Sequence, residues 1–316
     1  MRPLALAGGE HPSTIFSHLV AEHSNGRGIL GFLTTRDACA LRAVCHEALA
    51  AVRDFHWSDA RTSIRGALPL WRASFPHARA ANVSGRSDLT DDDMSSLAGV
   101  SAVFAMSCVG LTDAGFSHLA ACRTLDMSHC NQNGITNAAF AALSGVRALN
   151  MSGCNQAGIT DAAFVHLTEL RSLGIAQSTF GLYPRLQLTD RAFTHLRKLE
   201  SLCASGLDSI TDAALAHLDC LRNLSIAYCD QAGISDAAFV NLRDLEVLDI
   251  RNCSQLTDAA LSPLTKIRSV DMRGCEKITA DCARDLASRV DCLFVADCSE
   301  SVRAAAKEAG GARVFL

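Results

Sequence analysis

One phrase recurs nine times along the chain and decides what it can fold into. It begins at Leu89, Leu111, Ile135, Ile159, Leu188, Ile210, Ile234, Leu256 and Ile278, at spacings of 22, 24, 24, 29, 22, 24, 22 and 22 residues. A unit this short cannot enclose a core of its own, so each copy has to bury its apolar side against its neighbours. In most copies Leu is followed, two residues on, by Ile or Met, as in Leu149-Met151, Leu224-Ile226 and Leu248-Ile250. That alternation sends two side chains to one face of a strand and the residue between them to the other. Upstream, Leu215, Leu218 and Leu221 recur at helical spacing and mark one side of a short helix. The second position of the phrase is always a hydroxyl: Thr90, Thr112, Thr136, Thr160, Thr189, Thr211, Ser235, Thr257 and Thr279. A helix N-cap requires such a residue, and the acid that follows at Asp113, Asp161, Asp190, Asp212, Asp236 and Asp258 meets the positive end of the helix dipole.

The period, with V-x-x-L-x-M-x-x-C at Val146, Leu149, Met151 and Cys154, resembles the leucine-rich repeat. The expected fold class is α/β: a leucine-rich repeat solenoid with a curved parallel sheet, helices on its convex side and a small N-terminal helical head. The chain divides into a tail (1–10), the head (11–66), an N-terminal cap strand (67–88), nine repeats (89–300) and a C-terminal cap (301–316). Trp71 to Ser84 reads as the opening strand. Val302 to Ala309 reads as a helix stopped by Gly310-Gly311, and Arg313 to Leu316 as a last strand.

Composition narrows the setting. With 49% hydrophobic and 20% charged residues and no long polar block, the chain should fold. No run approaches the ~18 apolar residues that span a bilayer, and the run after Arg2 is too short for a signal peptide, so the reading is intracellular, cytoplasmic or nuclear, without a membrane partner. Fourteen cysteines spread over such a chain read as reduced thiols. Residues 1–86 carry ten Arg against six acids, whereas 87–316 carry nineteen basic against twenty-seven acidic residues. An acidic array disfavours nucleic acid as a partner.

Residues 11–53 lack the repeat and read as helices over Pro12–His23, Ile29–Leu33 and Asp37–Val52, with Thr34 or Thr35 as a cap. Here the sequence resembles an F-box. Pro12-Ser-Thr-Ile15-Phe16 looks like its start, Ile29-Leu-Gly-Phe-Leu33 like its middle, and Asp37 to Val44-Cys45 like its end. The order of an F-box before cysteine-containing leucine-rich repeats is similar to F-box proteins, including arrays found in giant viruses of protists. The resemblance implies that Pro12, Ile15, Phe16, Leu30, Leu33, Leu41 and Val44 dock a Skp-family adaptor of a cullin-RING ubiquitin ligase. The repeats would then hold a protein client, the chain being a monomer. The alternative is an interaction scaffold or inhibitor whose head only caps the first repeat.

Other constellations are weighed on their residues. Cys108, Cys130, Cys154, Cys229, Cys253 and Cys275 form a column of small buried residues at the strand exits. No C-x-x-C pair is present, and Ala50 breaks the H-E-x-x-H phrase begun at His46, so no metal is expected. His118, His166, His195 and His217 share one helix position and read as surface residues. No acid, base or nucleophile is assembled, so neither an enzyme nor a cofactor is expected. What remains is the concave face. Its central column reads Phe104, Asp126, Asn150, Gly174, Cys203, Ser225, Asp249, Asp271, Phe294. Candidate client-binding residues are Asp126 with His129 and Asn150, Tyr228 at the rim, and Asp249, Arg251, Asp271 and Arg273, which either neutralise one another across strands or form a polar recognition patch. The 29-residue unit carries extra residues on the loop near 178–187, where Phe180, Tyr183 and Arg185 are either interface anchors or a plug for the widened turn.

Overall fold

A computed structural model describes residues 30, 33–43, 46–177, 186–229 and 233–316. Eleven three-residue strands form one parallel sheet in sequence order: β1 (Ala80–Asn82), β2 (Ala102–Phe104), β3 (Thr124–Asp126), β4 (Ala148–Asn150), β5 (Ser172–Gly174), β6 (Ser201–Cys203), β7 (Asn223–Ser225), β8 (Val247–Asp249), β9 (Ser269–Asp271), β10 (Cys292–Phe294) and β11 (Arg313–Phe315). Parallel neighbours joined by a helical crossover at every step make a solenoid. The middle residue of each strand from Ala81 to Leu293 points inward and is buried. From the convex side Phe116, Phe140, Phe164, Phe193 and Phe239 fill the same space, with the Phe140 and Phe164 rings stacked at 6.5 Å. The core is one cluster running from Leu30 to Ala306.

Convex segments are short, α-helical in some coils (Asp113–Phe116, Asp212–Leu215, Asp258–Leu261) and 3₁₀ in others (Asn137–Leu143, Asp161–His166, Asp236–Phe239), and the last, Ala280–Arg289, is a longer α-helix. A 22- to 24-residue coil leaves room for little more, and the tighter 3₁₀ turn suits short pieces. The hydroxyls cap these turns as expected, accepting from the backbone N–H two residues on, as Thr211 does from Ala213. The acid beside each cap does more than face a dipole, which a single turn barely possesses. Asp212 accepts the backbone N–H of Ser235 at 2.7 Å and its hydroxyl at 2.6 Å, both in the next coil. The same double bond joins Asp113 to Thr136, Asp190 to Thr211, Asp236 to Thr257 and Asp258 to Thr279. Asn137 takes the part towards Thr160. A ladder of caps therefore clips each coil to its successor. Asp212→Ala leaves that backbone N–H and hydroxyl without their carboxylate, and should cost about 1–3 kcal/mol of unfolding free energy. Chemical denaturation measures it; an unchanged midpoint would mean water replaces the carboxylate without loss.

At the N-terminal end the stretch read as one strand divides in two. Leu68–Ser74 is a helix with Pro69 in its first turn, burying Leu68 and Trp71, and only Ala80–Asn82 is extended. Proline in the first helical turn costs no hydrogen bond, so Leu68-Pro69 starts a helix there. The span read as Asp37–Val52 is likewise two helices, Thr35–Leu41 capped by Thr34, and His46–Asp54. The segment after them covers the open edge of β1: Trp57 is buried, its ring meeting Phe55 and Phe75 edge-on, and Ile64 donates its N–H to the Asn82 carbonyl at 2.7 Å. At the other end Glu300–Ala309 is a helix closed by Gly310 in the left-handed region (φ 69°), and β11 follows. The helix reading of Pro12–His23 lies outside the described residues. Among the described residues no helix is long and apolar enough to cross a membrane.

Candidate protein-binding surface

Strand pairing aligns Asn82, Phe104, Asp126, Asn150, Gly174, Cys203, Ser225, Asp249, Asp271, Phe294 and Phe315 in one row across the sheet. This is the concave column read from the sequence, extended by one residue at each end.

The acids and amides of the column first serve the backbone. Asp126 and Asn150 accept the N–H two residues on, from Ser128 at 2.9 Å and Ser152 at 3.1 Å, and Asp249 and Asp271 accept those of Arg251 and Arg273. These are Asx-type turns, which end those four strands. The chain then passes through a left-handed residue: Gly85, Ser107, His129, Gly153, Gly206, Tyr228, Asn252, Gly274 and Asp297 all have φ between 55° and 72°. The N–H of that residue reaches the next coil, as Tyr228 does to the Arg251 carbonyl at 2.8 Å. A side chain with a Cβ costs roughly 1–2 kcal/mol there, so His129 and Tyr228 hold strained positions that Gly holds without strain in other coils. Neither residue could be recognised as left-handed from its type alone; the pattern shows only when the residue before each cysteine is set in one column.

Of the polar groups at the N-terminal end, two meet and the third stands over the next coil. Asp126 accepts from Asn150 at 3.3 Å and from the Ser128 hydroxyl at 2.6 Å, while His129 projects from the next turn over Gly153. At the other end the groups do converge. Hydroxyls lead from Ser205 to Ser225 (2.8 Å) and from Ser225 to Asp249 (2.9 Å). Arg251 grips Asp249 side-on through Nε (2.9 Å) and Nη2 (2.8 Å), and Arg273 grips Asp271 the same way (2.9 and 2.7 Å). The principal pairing is therefore within a strand, because the Asx turn already brings residue i+2 against the carboxylate; the cross-strand contact, Arg251 to Asp271, is longer at 3.4 Å. Arg251 lies over the Tyr228 ring (6.0 Å) and Arg273 over Phe294 (5.8 Å), with Phe294 stacked on Phe315 at 4.3 Å.

Burial pushes the Asp249 carboxyl up, but hydrogen bonds from the Arg251 side chain and backbone and from Ser225 outweigh it and hold the group below the usual carboxylate range. Its contribution to stability is thus present above the unfolded value near pH 4 and fades as pH falls through the lower folded value. Tyr228 is 46% exposed, and the Arg251 and Arg273 side chains about a third. The result is a rigid platform of aromatic rings and fixed guanidinium planes, the residue types that anchor protein interfaces.

Other expected residues fall elsewhere. In the head, Leu30 is buried and Leu33 and Leu41 pack half-buried against the core that runs on from the head into the solenoid. Pro12, Ile15, Phe16, Val44, Phe180, Tyr183 and Arg185 lie outside the described residues. The cysteine column is structural, and Cys298 extends it: each Sγ donates to a carbonyl of the preceding coil, Cys130 to Ala105 (3.2 Å) and Cys275 to Ile250 (3.0 Å) among them. Burial pushes the thiols of Cys130, Cys154, Cys253 and Cys275 up to about 12. None of the thirteen described cysteines is bonded to another. In the native protein at pH 8, iodoacetamide should modify exposed Cys39 and Cys220 and leave the column untouched until denaturant is added. Mass spectrometry reads this directly; column thiols reacting as fast as Cys39 would contradict the packing. His118, His166, His195 and His217 are exposed, and no three metal-binding side chains cluster among the described residues.

No family model matches the chain, and no curated protein matches its sequence. Solved structures do match. An internalin from Listeria monocytogenes superposes with a TM-score of 0.60 at 16% identity, over 85% of this chain and 75% of that one. Toll, in its complex with Spatzle from Drosophila, superposes with a TM-score of 0.56 at 13% identity, over 82% of this chain and 38% of that one. At these identities the likeness is one of fold: the chain is a leucine-rich repeat solenoid.

Proposed function

We propose that the chain is a protein-protein interaction module that holds a protein client on its concave face, centred on Tyr228, Asp249, Arg251, Asp271 and Arg273. The observation that carries this reading is Tyr228, a large aromatic kept exposed in left-handed backbone beneath Arg251. Folding alone favours glycine at that position, which suggests that the ring is kept for contact. Asp126, His129 and Asn150 form the far edge of the footprint, and Phe180, Tyr183 and Arg185 would meet the client from the neighbouring loop.

Tyr228→Gly separates the two roles. The substitution should raise the unfolding free energy or leave it unchanged, and weaken the client at least about tenfold, as loss of an aromatic anchor does. The client is first recovered from the cells the chain comes from, then purified and titrated against both forms. A variant that binds equally well removes Tyr228 from the site.

A finer reading makes the chain a substrate-recruiting adaptor of a Skp-cullin-RING ubiquitin ligase, with Pro12, Ile15, Phe16, Leu30, Leu33, Leu41 and Val44 meeting the Skp-family protein. Its support is the order of an F-box-like segment before repeats. Leu30, Leu33 and Leu41 are instead drawn into the continuous core, which favours a scaffold whose head seals the first coil. Mixing the purified full chain with a Skp-family protein distinguishes them: the adaptor reading requires a complex that Ile15→Asp with Phe16→Asp abolishes, and no complex with the unaltered chain refutes it.

A further inference from the structure

The residues immediately before the strands form a second row, along the rim where the chain enters the sheet: Arg79, Ser101, Arg123, Arg147, Arg171, Glu200, Arg222, Glu246, Arg268. They are backbone neighbours. Each N–H donates to the carbonyl of the residue before it in the row, from Ser101 to Arg79 at 3.0 Å through Arg171 to Arg147 at 2.8 Å. Successive side chains therefore stand roughly 4.8 Å apart, the spacing of paired strands.

From Arg171 onward this rim neutralises itself. Arg171 pairs with Glu200, Arg222 with Glu246 (2.8 Å) and Arg268 with the same Glu246 (3.7 Å), while two residues upstream Lys198 holds Glu169 (2.6 Å) and Lys266 holds Asp244 (2.5 Å). The N-terminal part does not. Among the described residues no carboxylate lies within ion-pair distance of Arg79, Arg123 or Arg147; Arg123 reaches only the carbonyls of Cys122 (3.1 Å) and Gly145 (3.2 Å). All three are exposed. The positive row continues into the head, where Arg61 shares a hollow with Arg79 and His56. That hollow also holds two carboxylates, Asp54 and Asp59, the latter accepting from Thr35 and from the backbone N–H groups of Arg61 and Thr62, so the unbalanced positive charge is that of the rim itself.

This local excess of positive charge is set in a chain of net charge −4, whose residues 87–316 are strongly acidic. Adjacent like charges repel, and the same rim shows, two coils further on, that this fold can place carboxylates between its basic side chains. We propose that the arginine row from Arg79 to Arg147 docks an acidic segment of a protein partner, whose carboxylates take the places that Glu200 and Glu246 fill beyond it. The length of the row selects that class of partner. It spans three strand spacings, about 14 Å, enough for a short acidic stretch. A nucleic acid would run on to the carboxylates at Glu200 and Glu246, and no aromatic residue stands in the row to stack its bases. The surface is separate from the concave column, so the failure of either reading leaves the other standing.

The test uses the full chain and two fluorescent probes of equal charge, an oligoglutamate peptide and oligothymidylate, followed by anisotropy at low and moderate salt. Oligoglutamate should bind, weaken as salt rises, and lose at least about tenfold in affinity in Arg79→Glu with Arg147→Glu. The same number of reversals on the far helix, Arg303→Glu with Lys307→Glu, should change binding less than about twofold. Circular dichroism confirms folding, and the milder pair Arg79→Ala with Arg147→Ala, expected to lose about threefold, serves if the reversal unfolds the chain. Absence of oligoglutamate binding, equal loss in the far-helix variant, or tighter binding of oligothymidylate through the same arginines would each overturn the proposal.

Discussion

Phe164→Ala is expected to remove about 3–5 kcal/mol from the unfolding free energy, the usual cost of deleting a fully buried aromatic ring. Phe164 has no exposed surface, stacks on Phe140 at 6.5 Å, and sits in an interior coil with a neighbour on each side. Its position adds a second signature. Stability in a solenoid is a sum of coil terms and coil-to-coil interfaces, so weakening one central interface uncouples the segments on either side. The denaturation curve should therefore broaden or split, besides shifting. Equilibrium denaturation followed by circular dichroism measures both; a loss under about 1 kcal/mol with an unchanged slope would mean that the convex phenylalanines are not packed as described.

Arg251→Ala with Arg273→Ala is expected to weaken the client by two orders of magnitude or more, since each is a centrally placed arginine of the type whose truncation costs about 2 kcal/mol or above. Each guanidinium also neutralises a carboxylate: the Asp249 and Asp271 side chains are 20% and 16% exposed. The variant thus leaves two like charges on adjacent strands, and it should lose stability near neutral pH and regain part of it as acid protonates them. Conservative exchange to Lys keeps the charge but not the side-on geometry, and should restore stability more than binding. Titration calorimetry with the purified client, beside melting curves at neutral and acid pH, separates the two effects. Full affinity in the double variant would move the site elsewhere.

Much of the fold was legible because each unit's alternation and spacing determine both strand face and helix stripe. The concave row from Phe104 to Phe294 could be written down from the phrase alone, and strand pairing reproduces it residue for residue. The hydroxyl caps were equally plain. Features that depend on how one coil lies over the next were hidden. Asp212 beside Thr211 looks like a helix-end charge, and only stacking shows that it holds Ser235. The Arg251–Asp249 grip was read across strands, because the Asx turn that folds residue i+2 onto the carboxylate has no signature beyond Asp itself. At the N-terminal end the spaced apolar residues Phe75, Ala78, Ala80 and Val83 outweighed the helix start at Leu68-Pro69.

The account stands most directly on where a bound client touches. In hydrogen-exchange mass spectrometry of the chain alone and in complex with its purified client, the strand-exit segments carrying Ser225–Tyr228, Asp249–Arg251 and Asp271–Arg273 should gain protection while the convex turns at Asp212–Leu215 and Asp258–Leu261 stay unchanged. Protection confined to the convex turns, with the concave segments exchanging as in the free chain, would contradict it.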